Sequence, residues 1–326
     1  MGKFIMLVGL PGSGKSTFAK NLGYNIFSSD ELRKELWGDE SKQGNNTELF
    51  TELHRRIKEA LKNGEDCVYD ATNINAKRRT AFLNEIKKIK CEKICATIIT
   101  DFDLCLERNS QRNRKVPYEV IKKMYLTFDI PQFREGWDDI WILVNKKGGK
   151  SYDITKLVDH LSQIPHDNPH HVLTIGDHII ATTNRIKEKY SLSFAGDIER
   201  LNILSMAAFF HDIGKEFCKT FQNSKGELDN VAHYYRHENV SAYMFILYSE
   251  GMFENSKDIL YIADLIALHM RLFVPEESEE KVSNKLKQLI GERKFEDLCI
   301  LHRADIECEG GYEGEQKIFG EFRRDR

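Results

Sequence analysis

The alternation of apolar and polar positions divides this chain into two regimes. Phe4–Val8 is a short apolar run stopped by Gly9, and Ser16–Leu22 has helical spacing, so the N-terminus reads as strand, loop, helix. Asn25–Phe27, Cys67–Tyr69, Ile94–Thr100 and Ile140–Val144 read as further strands. Glu48–Asn63 and Lys77–Lys90 read as helices between them. Strands alternating with helices predict a parallel sheet covered on both faces. After the polar stretch Lys146-Lys147-Gly148-Gly149-Lys150 the strand signals vanish. Helical patterns then dominate at Ile154–Ile164, Leu173–Lys189, Asp197–His211, Glu238–Ser249, Lys257–His269, Lys281–Ile290 and Phe295–Ile306. The expected organisation is an α/β domain over residues 1–150 followed by an all-α domain over 151–326. The segment Glu309–Arg326 carries no readable pattern.

Bulk properties refine this picture in three places. The net charge of −3 hides an asymmetry: residues 1–150 hold 27 Lys and Arg against 21 Asp and Glu, the remainder 21 against 30. A basic first half suits nucleotide or nucleic acid, and an acidic second half suits metal. Without a basic stripe or tail, tight non-specific DNA binding is not indicated. The seven cysteines lack CxxC spacing, the pattern of reduced thiols in a cytoplasm. No apolar run is long enough to span a bilayer, and Met1-Gly2-Lys3 leads straight into a strand, so neither membrane association nor a signal peptide is expected.

The first chemical signal is Gly9-Leu10-Pro11-Gly12-Ser13-Gly14-Lys15-Ser16-Thr17, which satisfies GxxxxGK[ST] between a strand and a helix. Glycines let backbone N–H groups curl around phosphate oxygens, and the helix N-terminus adds positive potential. Lys15 reaches the terminal phosphates and Ser16 can ligate Mg²⁺. Gly9, Gly12, Ser13, Gly14, Lys15, Ser16 and Thr17 are therefore the expected ATP cradle. Three further segments bear on the acceptor. Asp30 and Arg33 lie three apart on a helix that begins near Ser28, placed to take a hydroxyl proton and hold a substrate phosphate. An N-capping Asp beside a surface Arg is the bland alternative. Asp70, in Tyr69-Asp70-Ala71-Thr72-Asn73, ends a strand on the ligand-binding side, to support Mg²⁺, orient the acceptor or merely cap a loop. Arg108 and Arg112 are four apart, which predicts one helix face carrying either a phosphate clamp or a solvated basic surface.

Taken together, the DxxR segment, Asp70-Ala71-Thr72-Asn73 and the stretch Arg108-Asn109-Ser110-Gln111-Arg112 through Val116-Pro117-Tyr118 resemble the phage-type polynucleotide 5′-kinases over roughly residues 1–145. The resemblance implies that Asp30 is the base and Arg33 the acceptor-phosphate arginine. It implies that Arg108 and Arg112 are lid arginines, and that Asp70 is the Asp of a DTN-like segment, here interrupted by Ala71. The implied reaction moves the γ-phosphate of ATP to a 5′-hydroxyl end.

The second signal is His211-Asp212-Ile213-Gly214-Lys215 at the end of the apolar stretch Leu201–Phe210, in a region holding ten of the eleven histidines. A buried carboxylate beside an imidazole is costly unless paired or bound to metal. His178, His237, His269 and Asp305 are further ligand candidates, with His170, His171, His233 and His302 as rivals. Mixed imidazole and carboxylate ligands suit Mn²⁺, Fe²⁺, Co²⁺, Ni²⁺ or Zn²⁺ more than Ca²⁺. These residues resemble the HD phosphohydrolase superfamily over about residues 165–310. The family's pattern maps onto His178, His211, Asp212 and Asp305, and its two-metal members add histidines at the places of His237 and His269. The resemblance implies that Asp212 bridges two metals and that Lys215 holds a phosphate oxygen.

A 5′-kinase joined to an HD module resembles the HD-type polynucleotide kinase–phosphatases. That resemblance implies healing of RNA or DNA ends: phosphorylation of 5′-OH ends and removal of 2′,3′-cyclic, 3′- or 2′-phosphate, with a separate ligase downstream. The competing expectations are a small-molecule kinase fused to a nucleotidase or phosphodiesterase, and a nucleotide-sensing regulator without turnover.

Overall fold

In a computed structural model, residues 2–39, 44–149, 152–169, 171–190 and 197–309 are described. His170 and residues 310–326 of the C-terminal tail lie outside them. The chain divides into two compact units. One runs to Tyr152 and includes Ile246–Leu260; the other comprises Asp153–Phe245 and the chain from Tyr261 onward.

The first unit is built on β1 (Gly2–Val8), β2 (Asn25–Ser28), β3 (Cys67–Asp70), β4 (Cys91–Thr100) and β5 (Asp139–Asn145). All pairings are parallel, in the order β2-β3-β1-β4-β5, with Phe4 opposite Cys67 and Val8 opposite Thr97. β1 is central and nearly every residue in it is buried, which explains its unbroken apolar sequence. Helices α1 (Lys15–Leu22), α2 (Ser29–Trp37), α3 (Asn46–Lys62), α4 (Ala76–Ile86), α5 (Phe102–Ser110) and α6 (Tyr118–Leu126) complete the α/β arrangement that the alternation predicted. Ile5, Leu7, Ala19, Val68, Ile94 and Ala96 form one core cluster, against which Phe18, Leu22 and Trp141 pack. Elsewhere in the unit Phe82 packs against Phe4, with ring centroids 5.4 Å apart. His54, the one histidine of the first half, lies 4.2 Å from Phe82 and is a packing residue. Chain order reverses beside β1, and sheets of this kind bind ligands outside the carboxyl ends of the strands at such a point.

The remaining helices are α7 (Ile154–Leu161), α8 (Ile175–Tyr190), α9 (Ile198–Phe210), α10 (Lys215–Cys218), α11 (His237–Tyr248), α12 (Ser256–Leu268), α13 (Glu276–Ile290) and α14 (Glu292–Glu309). The second unit is predominantly helical, but it also contains an antiparallel pair, β6 (Thr220–Gln222) and β7 (Leu228–His233). The reading of an all-α domain beyond Lys150 did not anticipate this pair. Leu228 is 87% exposed, so β7 lacks the buried alternate positions that mark a strand. No helix among the described residues is long and apolar enough to cross a membrane.

Candidate active sites

The loop after β1 has the conformation its glycines permit. Gly12 and Gly14 have φ of 82° and 99°. A Cβ on Gly12 would lie 2.3 Å from the Cys105 carbonyl oxygen, so any side chain there would displace α5. Gly14 caps α1 without a side-chain hydrogen bond, leaving the first N–H groups of the helix available to an anion. Lys15 is buried, and its Nζ donates to the carbonyls of Gly9 (3.0 Å) and Leu10 (2.7 Å). Burial pulls its pKa down to about 8, although Asp70 works in the opposite direction.

The segment after β3 braces this loop. Ser16 Oγ donates to Asp70 Oδ2 at 2.7 Å, so the two groups expected near Mg²⁺ meet directly. Gly9 N donates to the Thr72 carbonyl at 3.0 Å, and Asn73 Nδ2 to the Leu7 carbonyl at 2.9 Å. Asn73 takes a left-handed φ of 47°. Its carbonyl accepts from buried Arg79, which is paired bidentately with Glu135 at 2.7 Å.

Asp30 is not the helix cap. Ser28 caps α2, accepting from the N–H groups of Asp30 and Glu31, so the Asp30 carboxylate is free for other partners. It pairs with Arg33 (2.9 Å), Arg114 (2.5 Å) and Arg112 (3.6 Å). Arg108 and Arg112 do not share a helix face, contrary to their spacing. α5 stops at Ser110 because the buried Asn109 side chain turns the chain, donating to the Val116 carbonyl and accepting from Val116 N. Arg108 consequently lies near Gly14, with Nη1 3.7 Å from where a Cβ on that glycine would stand. Arg112 lies beside Asp30. Arg108, Gly14, Thr17 and Asn145 line one pocket. Arg114 and Asn145 were missed. The crowding of arginines in Arg108–Arg114 was a signal for the first; the Asn145 amide bonds to the Ser13 carbonyl (3.2 Å), a long-range contact with no local signature.

In the second unit, two groups of candidate ligands share one carboxylate. His178, His211, Asp212 and Asp305 form one, and Asp212, His237 and His269 the other; within each, the ligand atoms lie within 4.8 Å of one another, and all are buried. His178 Nε2 is 2.9 Å from Asp305 Oδ1, and His211 Nε2 is 3.2 Å from Asp212 Oδ2. On the other side, Asp212 Oδ1 is 3.1 Å from His237 Nε2 and 3.8 Å from His269 Nε2. His211, His237 and His269 each use Nδ1–H to donate to the carbonyl three residues earlier, at 2.6, 2.8 and 2.7 Å. That bond turns each Nε2 into the cluster, as ligating histidines require.

The buried charges of this cluster are tightly coupled. Burial would raise Asp212, but His211 and Lys215 hold it well below the usual carboxylate range. Burial lowers His211, yet Asp212 and Asp305 override it and raise the imidazole to about 10. His269 is pushed down to about 3 by burial and by the neighbouring His237 and His211, which keeps it a neutral donor. Both Asp212 oxygens are buried without a well-formed hydrogen bond. Six convergent N and O donors, with the Asp212 carboxylate shared between the two groups, fit divalent metal.

Lys215 Nζ lies 2.7 Å from Asp212 Oδ2 and within 3.4 Å of Nε2 of both His166 and His171. His166 was missed entirely, because its loop meets Lys215 only through the fold. Of the rivals, His171 stacks on His166, His233 stacks on Tyr235 and His302 packs against Phe273. A cavity of about 450 Å³ opens over Asp212, Lys215, His237 and His269.

Comparison with known proteins concerns the N-terminal region. Residues 4–131 match the AAA domain family. The chain is 33% identical over 145 residues to the L-seryl-tRNA(Sec) kinase of Methanococcus maripaludis, covering 41% of this chain and 55% of that protein. It is 28% identical over 143 residues to a putative bifunctional polynucleotide kinase/RNA ligase of Autographa californica nuclear polyhedrosis virus, covering 39% of this chain and 21% of that protein. A fungal RNA kinase structure aligns with a TM-score of 0.37 at 15% identity, over 50% of this chain and 44% of that one. The chain thus spans about half of one curated relative and a fifth of the other. Its parallel sheet and phosphate loop are those of a P-loop kinase fold.

Proposed function

We propose that the protein heals nucleic-acid ends, with a kinase in residues 1–150 and an HD-type phosphohydrolase in residues 151–326. The observation that carries this reading is the pairing, in one chain, of a P-loop kinase fold with a carboxylate shared by two His/Asp groups. In the kinase, the loop from Gly9 to Thr17 would hold ATP and its Mg²⁺. Lys15 moves from its carbonyl contacts to the phosphates, and Ser16 and Asp70 support Mg²⁺. Arg108 and Arg112 hold the transferring phosphoryl group, Asp30 takes the proton from a 5′-hydroxyl, and Arg33 binds the neighbouring phosphate.

In the phosphohydrolase, His178, His211, Asp212 and Asp305 would hold one divalent ion, and Asp212, His237 and His269 a second; when bound, such ions would supply Lewis-acid polarisation of a phosphoryl oxygen and an activated water. Lys215 fixes a phosphate oxygen at the cavity floor. The donor set favours Mn²⁺, Fe²⁺, Co²⁺, Ni²⁺ or Zn²⁺. RNA or DNA ends are the substrates, and a separate ligase seals them.

The test is an RNA oligonucleotide bearing a 5′-OH and a 2′,3′-cyclic phosphate, incubated with ATP, Mg²⁺ and Mn²⁺, with each end followed separately. Gain of a 5′-phosphate and opening or loss of the cyclic phosphate are expected. No change at either end would overturn the reading. The likeness to an L-seryl-tRNA(Sec) kinase favours a second acceptor, a hydroxyl carried by a small group. Seryl-tRNA outcompeting the 5′-OH oligonucleotide would select it.

A further inference from the structure

The mouth of the second unit's cavity carries aromatic groups that phosphate hydrolysis alone does not use. β7 ends at His233, and His233, Tyr235, Arg236 and His237 all line the cavity. The rings of His233 and Tyr235 stack with centroids 5.4 Å apart and planes within 6° of parallel. His233 is held in place by Asp229, whose Oδ2 lies 2.9 Å from its Nε2. Tyr235 nevertheless remains 44% exposed.

The backbone presents this pair deliberately. Arg236 adopts a left-handed φ of 68°, an uncommon conformation for a non-glycine residue. His237 N donates to the Tyr234 carbonyl at 3.2 Å, closing the turn. Tyr234 is meanwhile anchored through its hydroxyl to the His166 carbonyl. The turn therefore brings an exposed aromatic ring, a guanidinium and a candidate metal ligand to one cavity within three consecutive residues. A bare phosphate needs the last two and gains nothing from the ring. A nucleoside phosphate has a flat base to lay against it.

We propose that Tyr235, backed by His233, is a base-stacking platform that selects a phosphate carried on a nucleoside over the same phosphate on a carrier without a base. This rests on the phosphohydrolase reading of the cavity. Every base offers a π-face, so the platform would tolerate sequence, as an end-processing site must, while still preferring nucleotides by about tenfold.

The test uses the full-length protein with Mn²⁺ and two 3′-phosphorylated oligonucleotides, one ending in adenosine and one in an abasic ribose. Wild type is expected to show a KM about tenfold lower for the adenosine end. Tyr235→Ala should bring the KM ratio close to one, and Tyr235→Phe should retain it. A merely structural tyrosine would alter both substrates together. Equilibrium binding of adenosine 3′-monophosphate and of glycerol phosphate to metal-free protein gives a second readout, in which Tyr235→Ala should weaken only the nucleotide. An unchanged ratio in Tyr235→Ala, or a wild-type ratio near one, overturns the platform. If wild type hydrolyses neither oligonucleotide, the phosphohydrolase reading fails, and the binding measurement still decides the stacking.

Discussion

Asp212→Asn abolishes phosphate release from the 3′ end, as the expected result, and leaves phosphorylation of the 5′ end intact. Asp212 is the one residue common to both ligand groups, with its two oxygens facing opposite sets of imidazoles. The amide keeps the shape and removes the charge. It also replaces one acceptor oxygen by a donor that faces imidazole Nε2 atoms, so it disrupts both sets together. Metal assistance contributes several kcal/mol of charge stabilisation in a transition state. The loss is therefore about three orders of magnitude or more in rate. Replacing His269 alone disturbs only the second group. The check is a single-turnover assay of both ends on one oligonucleotide, with metal content measured on the same sample. Near-ultraviolet circular dichroism guards against unfolding, since Lys215 would lose its buried partner at 2.7 Å. Retained phosphate release with full metal content would remove Asp212 from the centre.

The second large effect is the mirror image. Asp30→Asn is expected to lower transfer to a 5′-hydroxyl by about 10²- to 10⁴-fold, the range of a general base, and to spare phosphate release. The side chain does not cap its helix and sits among Arg33, Arg112 and Arg114. The uncharged amide pairs more weakly with its guanidinium neighbours, so the contacts to Arg112 and Arg114 weaken. ATP binding depends instead on the loop from Gly9 to Thr17. The discriminating measurement is kcat against the KM values for ATP and for the acceptor. A fall in kcat with little change in either KM marks a base. An acceptor KM that rises while kcat stands would make Asp30 a positioning contact instead.

The phosphate loop was legible because its demands are local. Positive φ at Gly12 and Gly14 and close approach to Cys105 require glycine, and the sequence shows glycine at both. The shared carboxylate was legible for a different reason: a polar His-Asp pair closing an apolar helix has to be compensated inside the core. The structure brings His178, and not His171, into the ligand groups, in keeping with its place inside α8. What stayed hidden depends on long-range contacts. The end of α5 is set by Asn109 reaching seven residues ahead to Val116, so helical spacing alone put Arg108 and Arg112 on one helix face although Arg112 lies beyond the helix. β6 and β7 bury too little to show a period, although Gly226 and its φ of 82° mark their turn. His166 meets Lys215 across 49 positions, a contact no local pattern encodes.

The six candidate ligands come from α8, the end of α9, the start of α11, the end of α12 and α14, spread over Ile175–Glu309. Chemistry needs them close together; the chain, left to itself, would hold a cluster of buried imidazoles and carboxylates against their tendency to seek water. On the proposed metal reading, ions bound there would act as a clasp across five helices, tightening the native state in proportion to the logarithm of their free concentration. Chelation would then loosen the helices that meet at the cluster, whereas the core of Ile5, Leu7, Val68, Ile94 and Ala96 contains no such ligand group. The metal supply would thus set the durability of half the molecule as well as its chemistry.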